Sequence, residues 1–224
     1  MVKATSRPRS VAVIFSEQDL QCALRLRKPP DLFELRLDGL VAAIRKLSAT
    51  IPQLRAPVII TARAPIEGGA NNLSLATRRK LLTHFLSDAT FLDIELSSAI
   101  AFSALLNRAR ARNLQIILSL HNLTTTPALA ALQTATRRAH SLGADIFKVA
   151  ARTDRAEQLR SLFEFVHSGS SPIPVSAMGF GKLGRSSRAL LARAGSVLNY
   201  AHIGRPTVEG QWSLAQLRAA TRPK

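Results

Sequence analysis

The sequence predicts an α/β fold, a single (βα)8 TIM barrel, on three observations. Eight short apolar runs of strand length alternate with eight helical stretches. The repeat is about 25–30 residues long, the layout of a parallel βα array. The chain has 224 residues, and eight units in that length fit a closed barrel better than an open doubly wound sheet. No Gly-x-Gly-x-x-Gly follows the first run, which argues further against a dinucleotide-binding sheet. Residues 1–10 read as a basic leader and 11–224 as the barrel.

The elements follow in order. Val11 to Phe15 (VAVIF) is an apolar run, and Glu17 to Arg27 is a helix with Ser16 as N-cap, stopped by Pro29 and Pro30. Asp31 to Asp38 (DLFELRLD) alternates at period two, with Leu32, Leu35 and Leu37 apolar and Glu34, Arg36 and Asp38 on the opposite face. A helix follows to about Leu47. Val58 to Ala62 is the third strand, followed by a glycine-containing loop and a helix over Ser74 to Ser87. Phe91 to Leu96 is the fourth, and Ser97 is read as the cap of the next helix, ending near Asn113. Gln115 to Leu120 is the fifth, with His121 at its tip, and Thr126-Pro127 reads as hydroxyl N-cap and first-turn proline of a helix that stops at Gly143. Ile146 to Ala150 is the sixth, with Asp154 read as the cap of the helix to His167. Ile173 to Ala177, a helix over Arg185 to Arg193, Ser196 to Ala201 and a helix from Ser213 complete the eight units.

Composition narrows the function. The formal net charge is +17, from 31 Lys+Arg against 14 Asp+Glu. That charge suits anionic partners, but the arginines fall in helix C-terminal turns (Arg108, Arg110, Arg112; Arg137, Arg138), where the helix dipole favours them. A nucleic-acid reader would also interleave aromatics among its basic residues, and one Trp and one Tyr supply no such platform. No nucleic-acid partner is therefore expected. The single cysteine, Cys22, excludes a disulfide framework, and no His/Cys/carboxylate cluster stands at metal-ligand spacing. No apolar run is long enough to span a membrane, and no apolar segment follows the basic start. The expectation is a soluble, cytoplasmic protein without a metal site or a membrane partner.

The residue that most needs an explanation is Lys148, inside the apolar run GADIFKVA (Gly143 to Ala150). Burial disfavours an ammonium, and a neutral amine attacks carbonyl carbon, so Lys148 is a candidate Schiff-base former. The alternative is a strand-end lysine that extends its ammonium to water. In a (βα)8 barrel the C-terminal strand ends converge on one mouth. Glu34, Arg36, Arg63, Glu67, Asp93, Glu95, His121, Lys148, Arg188 and Gln211 all lie at or just past such ends. Glu34 with Arg36, and Asp93 and Glu95, also read as structural charges of a polar barrel layer.

Seven motifs in order then carry a resemblance: ELRLD (Glu34 to Asp38), TARAPIEGG (Thr61 to Gly69), DIEL (Asp93 to Leu96), SLHN (Ser119 to Asn122), GADIFKVA, GRSSR (Gly184 to Arg188) and TVEGQ (Thr207 to Gln211). From Val11 onward the chain resembles the type I 3-dehydroquinate dehydratases, Schiff-base enzymes of the shikimate pathway. The resemblance implies a cofactor-free dehydration of 3-dehydroquinate to 3-dehydroshikimate by a homodimer. It implies Lys148 as imine-forming lysine, His121 as general acid/base and Glu67 as the carboxylate that positions it. Glu34, Arg36 and Arg63 match residues that contact substrate hydroxyls or order the site. Arg188 and Gln211 match carboxylate holders, with Thr207 and Gln211 on a closing loop. Departures are Asn122 and Leu123 after the histidine, Phe147 before the lysine, and Glu209, which puts a negative charge near an anionic substrate. The residues alone reach a Schiff-base enzyme for a carboxylated carbonyl compound, and a class I aldolase-like lyase stays open beside the dehydratase.

Overall fold

The computed structural model describes residues 8–221. The strands are β1 (Arg9–Ile14), β2 (Leu32–Arg36), β3 (Val58–Thr61), β4 (Phe91–Glu95), β5 (Gln115–Asn122), β6 (Ile146–Arg152), β7 (Val175–Phe180) and β8 (Leu198–His202). The helices are α1 (Glu17–Arg25), α2 (Ile44–Thr50), α3 (Leu75–His84), α4 (Ser103–Ala111), α5 (Leu129–Ser141), α6 (Ala156–His167), α7 (Gly184–Ala194) and α8 (Leu214–Thr221). The strands form one sheet in the order β7-β6-β5-β4-β3-β2-β1-β8, and every paired neighbour is parallel.

The sheet's ends meet without a ladder between β7 and β8. Side chains close the seam instead: Ser176 Oγ donates to Leu198 O at 2.7 Å, and Ala177 N donates to Ser196 Oγ at 3.0 Å. One backbone bond, Val197 N to Val175 O at 3.0 Å, joins them. Both serines are fully buried, so these bonds satisfy polar groups that water cannot reach.

Strand alternation divides the interior in two. Phe33, Leu35, Leu92, Ile94, Phe147 and Val149 pack outward, in the main core beneath the helices. Val11, Leu32, Ile59, Phe91, Ile117, Ile146 and Leu198 pack inside the barrel. Period two then puts Glu34 two residues above Leu32, Asp93 above Phe91, Ser119 above Ile117 and Lys148 above Ile146. An apolar floor thus carries a charged layer.

Several sequence expectations are corrected. The strand β1 opens at Arg9, so Arg9 and Ser10 belong to the barrel and not to the leader, with Ser10 Oγ donating to Asp31 at 2.6 Å. The rest of the leader that is not described, residues 1–7, lies outside the described residues. Leu32 faces the interior with Glu34, not the apolar side with Leu35. Ser97 sits in a 3-10 turn, Leu96–Ser98, well before α4, and caps nothing. The helix α5 starts at Leu129 without a side-chain cap, because the Thr126 hydroxyl donates to Arg152 O at 2.7 Å. At α6 the cap position is Arg155. Gln158 Oε1 accepts from Asp154 N and Arg155 N, while Asp154 accepts from Lys182 N and Arg152 Nε. Ser16 does cap α1, in a reciprocal box with Asp19.

Ser196→Ala leaves the Ala177 amide unpaired in the seam. It is expected to lower the unfolding free energy by about 1–3 kcal/mol, read from the urea midpoint at unchanged m-value. A loss below about 0.5 kcal/mol, the range of a surface substitution, would show that the seam does not need this bond.

Candidate active site

One cavity opens at the C-terminal ends of the strands. Glu34, Arg36, Arg63, Glu67, His121, Lys148, Arg188, Thr207 and Gln211 all line it, so the fold brings together the residues that the resemblance implies, while Asp93 and Glu95 are outside its lining. Val13, Met178 and Tyr200 supply apolar wall.

Lys148 stands at the centre of the charged layer. Its Nζ is 2.8 Å from Asp93 Oδ2, 3.1 Å from Glu34 Oε1 and 4.1 Å from the centre of the Tyr200 ring. The apolar surroundings expected from its neighbours in sequence are therefore corrected. Phe147 and Val149 face the helices, while Lys148 faces two carboxylates inside the barrel. The amine is 3% exposed as a residue, so the strand-end reading in which it extends to water does not hold.

Arg63 is fully enclosed behind this amine. Its Nη2 binds Asp93 Oδ1 at 3.1 Å, and its Nη1 binds Glu95 Oε1 at 3.1 Å and Ser119 Oγ at 2.7 Å. Burial opposes its charge, but Asp93, Glu95 and Glu34 outweigh that and raise its pKa further. Burial likewise opposes the Asp93 carboxylate, and Arg63 and Lys148 overcome it, holding Asp93 well below the usual range. Glu34 also accepts from Thr61 Oγ1 at 3.0 Å. Arg36 is less free for a ligand than expected. Its fork is spent on Asp38, at 2.9 and 2.7 Å, and on Gly68 O at 3.2 Å.

His121 and Glu67 form the second group. Glu67 ends a 3-10 turn, Pro65–Glu67, and Gly68 turns the chain at φ 84°. A side chain on Gly69 would strike Arg63 O at 2.1 Å, so the loop folds back only with glycine there. Glu67 Oε2 then accepts from His121 N at 2.9 Å and lies 3.1 Å from His121 Nδ1. With that carboxylate ionised, Nδ1 carries the proton and Nε2 keeps its lone pair. Burial, then the positive charges of Arg63 and Lys148, hold the imidazole well below its ordinary pKa. Burial pushes the Glu67 carboxyl up.

The third group belongs to α7 and the loop before α8. Arg188 is buried, and its Nη1 donates to Tyr200 O at 2.7 Å. Its Nε has no partner, and among the described residues no carboxylate pairs with it. Burial lowers its pKa to about 10, which leaves it charged at neutral pH. A buried, unpaired guanidinium on a cavity wall calls for an anion. Gln211 Oε1 accepts from Thr207 N at 2.8 Å and Thr207 Oγ1 at 3.1 Å, which folds the loop and leaves the Gln211 amide to donate. Gly210, at φ 78°, packs against Gly184, where a side chain would meet Gly184 Cα at 2.8 Å.

Sequence reasoning missed some residues. Ser97 Oγ donates to Glu67 Oε1 at 2.9 Å, fixing the carboxylate from the side opposite His121. Tyr200, two residues above Leu198, was visible only once the last strand's inward face was known. Arg78 left no signal in a basic helical run, yet it is buried against Glu95.

The fold and this cavity define the class: a (βα)8-barrel enzyme with its site at the C-terminal mouth of the strands. The family follows from comparison. The sequence profile of type I 3-dehydroquinase matches residues 10–222, and the chain belongs to that family. It is 35% identical over 185 residues to the 3-dehydroquinate dehydratase of Methanothermobacter thermautotrophicus, covering 81% of this chain and 79% of that one. The corresponding protein of Methanosarcina barkeri is 32% identical over 210 residues, covering 87% and 85%. The crystal structure of 3-dehydroquinate dehydratase from Geobacillus kaustophilus HTA426 superimposes with a TM-score of 0.85 at 26% identity, covering 96% and 90%. The protein is thus a dehydratase, a lyase of the shikimate pathway.

The His121 pair makes a linkage prediction. The unfolded chain protonates this histidine below about pH 6.5, while the folded protein resists it. Unfolded protein therefore binds more protons there, and stability falls as pH falls from 7 to 5. Parent protein should lose about 1–2 kcal/mol more over that interval than His121→Asn, measured by urea denaturation. Equal losses would contradict a neutral imidazole in the folded protein.

Proposed function

We propose that the protein dehydrates 3-dehydroquinate to 3-dehydroshikimate through an imine on Lys148. The observation that carries this reading is the unpaired Arg188 in the same cavity as an enclosed amine and an imidazole–carboxylate pair. Those are the groups needed by a substrate with a carboxylate, a ketone and a hydroxyl β to it.

The Lys148 ammonium passes its proton to His121 Nε2, the free amine attacks the ketone carbon, and His121 returns that proton to the carbinolamine hydroxyl as it leaves. The resulting carbinolamine loses one water and leaves a protonated imine. That nitrogen draws electrons from the adjacent C–H bond, and His121 Nε2 takes the proton. The electron pair becomes an enamine, which expels the β-hydroxyl with the proton His121 returns to it. Water then hydrolyses the conjugated imine, freeing enone product and the amine. The balance is substrate to product plus one water.

The other roles follow from the contacts. Glu67 fixes the histidine tautomer and ring. Arg188 holds the substrate carboxylate through a fork that suits it, and Gln211 donates from the loop it shares with Thr207. Glu34 is left to meet a substrate hydroxyl once Lys148 is consumed in the imine. Arg63 and Arg36 order the walls, Arg63 through Asp93 and Arg36 through Asp38 and Gly68. A homodimer and a cytosolic setting belong to the same proposal, supported by the family resemblance and the lone cysteine. Among the described residues no helix is long and apolar enough to cross a membrane.

Enone absorbance on mixing the protein with 3-dehydroquinate tests the reading. Parent protein should show it, Lys148→Ala should lose at least about 10³-fold in kcat with the barrel still folded, and His121→Ala should form imine but turn over poorly. No enone from parent protein, or substantial turnover by Lys148→Ala, would reject it.

A further inference from the structure

We infer that Arg78 is a positioning residue for the reaction, acting on Lys148 from outside the cavity through a buried chain of alternating charges. The inference rests on the imine reading above.

Arg78 lies in the first turn of α3, away from the cavity lining. Its residue exposure is only 4%. Its Nε donates to Ala62 O at 2.7 Å, its guanidinium lies 5.2 Å from the centre of the Phe102 ring, and its Nη2 binds Glu95 Oε2. Glu95 turns its other oxygen, Oε1, to Arg63 Nη1 at 3.1 Å and Ala64 N at 2.8 Å. Arg63 in turn holds Asp93 Oδ1, and Asp93 Oδ2 holds Lys148, which also binds Glu34. The order is Arg78, Glu95, Arg63, Asp93, Lys148, Glu34, with sign alternating at every step.

Within this chain three cations face three carboxylates, so the chain is neutral only with Arg78 in it. Surface solvation cannot replace this residue. Each member of the chain is buried, and charges in such surroundings interact far more strongly than in water. Without Arg78 the chain carries one excess negative charge, and Glu95 Oε2 has no donor. Excess negative charge retains the proton that the Lys148 ammonium must release before it attacks a ketone. Freed of its outer anchor, Glu95 can also rotate, and the Arg63 fork that orients Asp93 follows it. The groups around Lys148 are Glu34 from β2, Arg63 from the loop after β3, Asp93 from β4, His121 from β5 and Tyr200 from β8, with Arg188 of α7 on the same cavity wall. None of them contacts Arg78 except through Glu95 and Arg63. A change at Arg78 therefore reaches the amine by charge and orientation, not by altering the substrate's own contacts.

The test compares Arg78→Met, Arg78→Lys, Glu95→Gln and the double variant Arg78→Met/Glu95→Gln in the full chain. The readouts are the first-order rate of borohydride trapping with 3-dehydroquinate between pH 6 and 9, and the split between kcat and KM. Arg78→Met should trap about 10-fold more slowly at neutral pH, with the deficit shrinking as pH rises and KM within about 2-fold of parent. Arg78→Lys keeps the charge and should stay within about 3-fold of parent. The double variant removes one charge of each sign and should recover most of the rate. Glu95→Gln alone leaves an excess positive charge and should shift the pH dependence the opposite way, so the sign can be read even if Arg78→Met does not fold. Parental trapping by Arg78→Met, an equal deficit at every pH, or no recovery in the double variant would overturn the inference. So would a Glu95→Gln shift in the same direction. Failure of the imine reading is distinct, because parent protein itself would then trap nothing.

Discussion

The structure depends on the pairing of Arg63 with Asp93 and Glu95 inside the barrel. A guanidinium and two carboxylates in an enclosure carry a large desolvation cost, offset only if every charge meets its opposite at hydrogen-bond distance. Arg63 meets that condition on both terminal nitrogens, at 3.1 Å to each acid and 2.7 Å to Ser119. Its own backbone N–H goes to Asp38, at 3.1 Å, which ties the start of the loop carrying Glu67 to β2. Burial alone would raise the Asp38 carboxyl, but the Arg36 fork and the N–H groups of Ala70 and Arg63 outweigh it and hold Asp38 low. One buried residue thus fixes, through its guanidinium, the Asp93 carboxylate that holds Lys148 and, through its backbone N–H, the loop that brings Glu67 to His121.

The barrel supplies the geometry that this pairing needs. Parallel strands in register place Ser119 beside Lys148 and Glu95 beside Ser119. Period two then directs each of these side chains to the axis while its neighbours pack outward. An apolar layer below keeps water out from beneath, so charge balance has to be met by protein groups. The loop from Gly204 to Gln211 and the first turn of α7 close the opposite wall through two glycines in backbone contact. Catalysis would then draw on three separate βα units for the amine, the imidazole and the carboxylate holder.

Much of this was legible in the sequence, for physical reasons. Strand and helix periods mark the eight units, and strand ends mark the mouth, so the sequence alone gathers Glu34, Arg63, Glu67, His121, Lys148 and Arg188. What sequence could not give was direction. Lys148 sits among apolar neighbours in sequence but among carboxylates in space, because alternation sends Phe147 and Val149 to the other side. Ser97 and Asp154 looked like helix caps, since local capping chemistry is all a sequence window shows. Both are instead held by distant partners, Glu67 and Lys182. Arg78 was invisible for the same reason: in a run of basic residues on a helix, nothing local distinguishes the buried arginine from its solvated neighbour Arg79.

The central claim is that Lys148 forms the covalent intermediate. Its most direct test is peptide mapping by mass spectrometry after borohydride reduction in the presence of 3-dehydroquinate. The account predicts the mass of the reduced imine on the peptide that contains Lys148, and on no other. An adduct on a different lysine, or unmodified peptide from protein that turns substrate over, would contradict it.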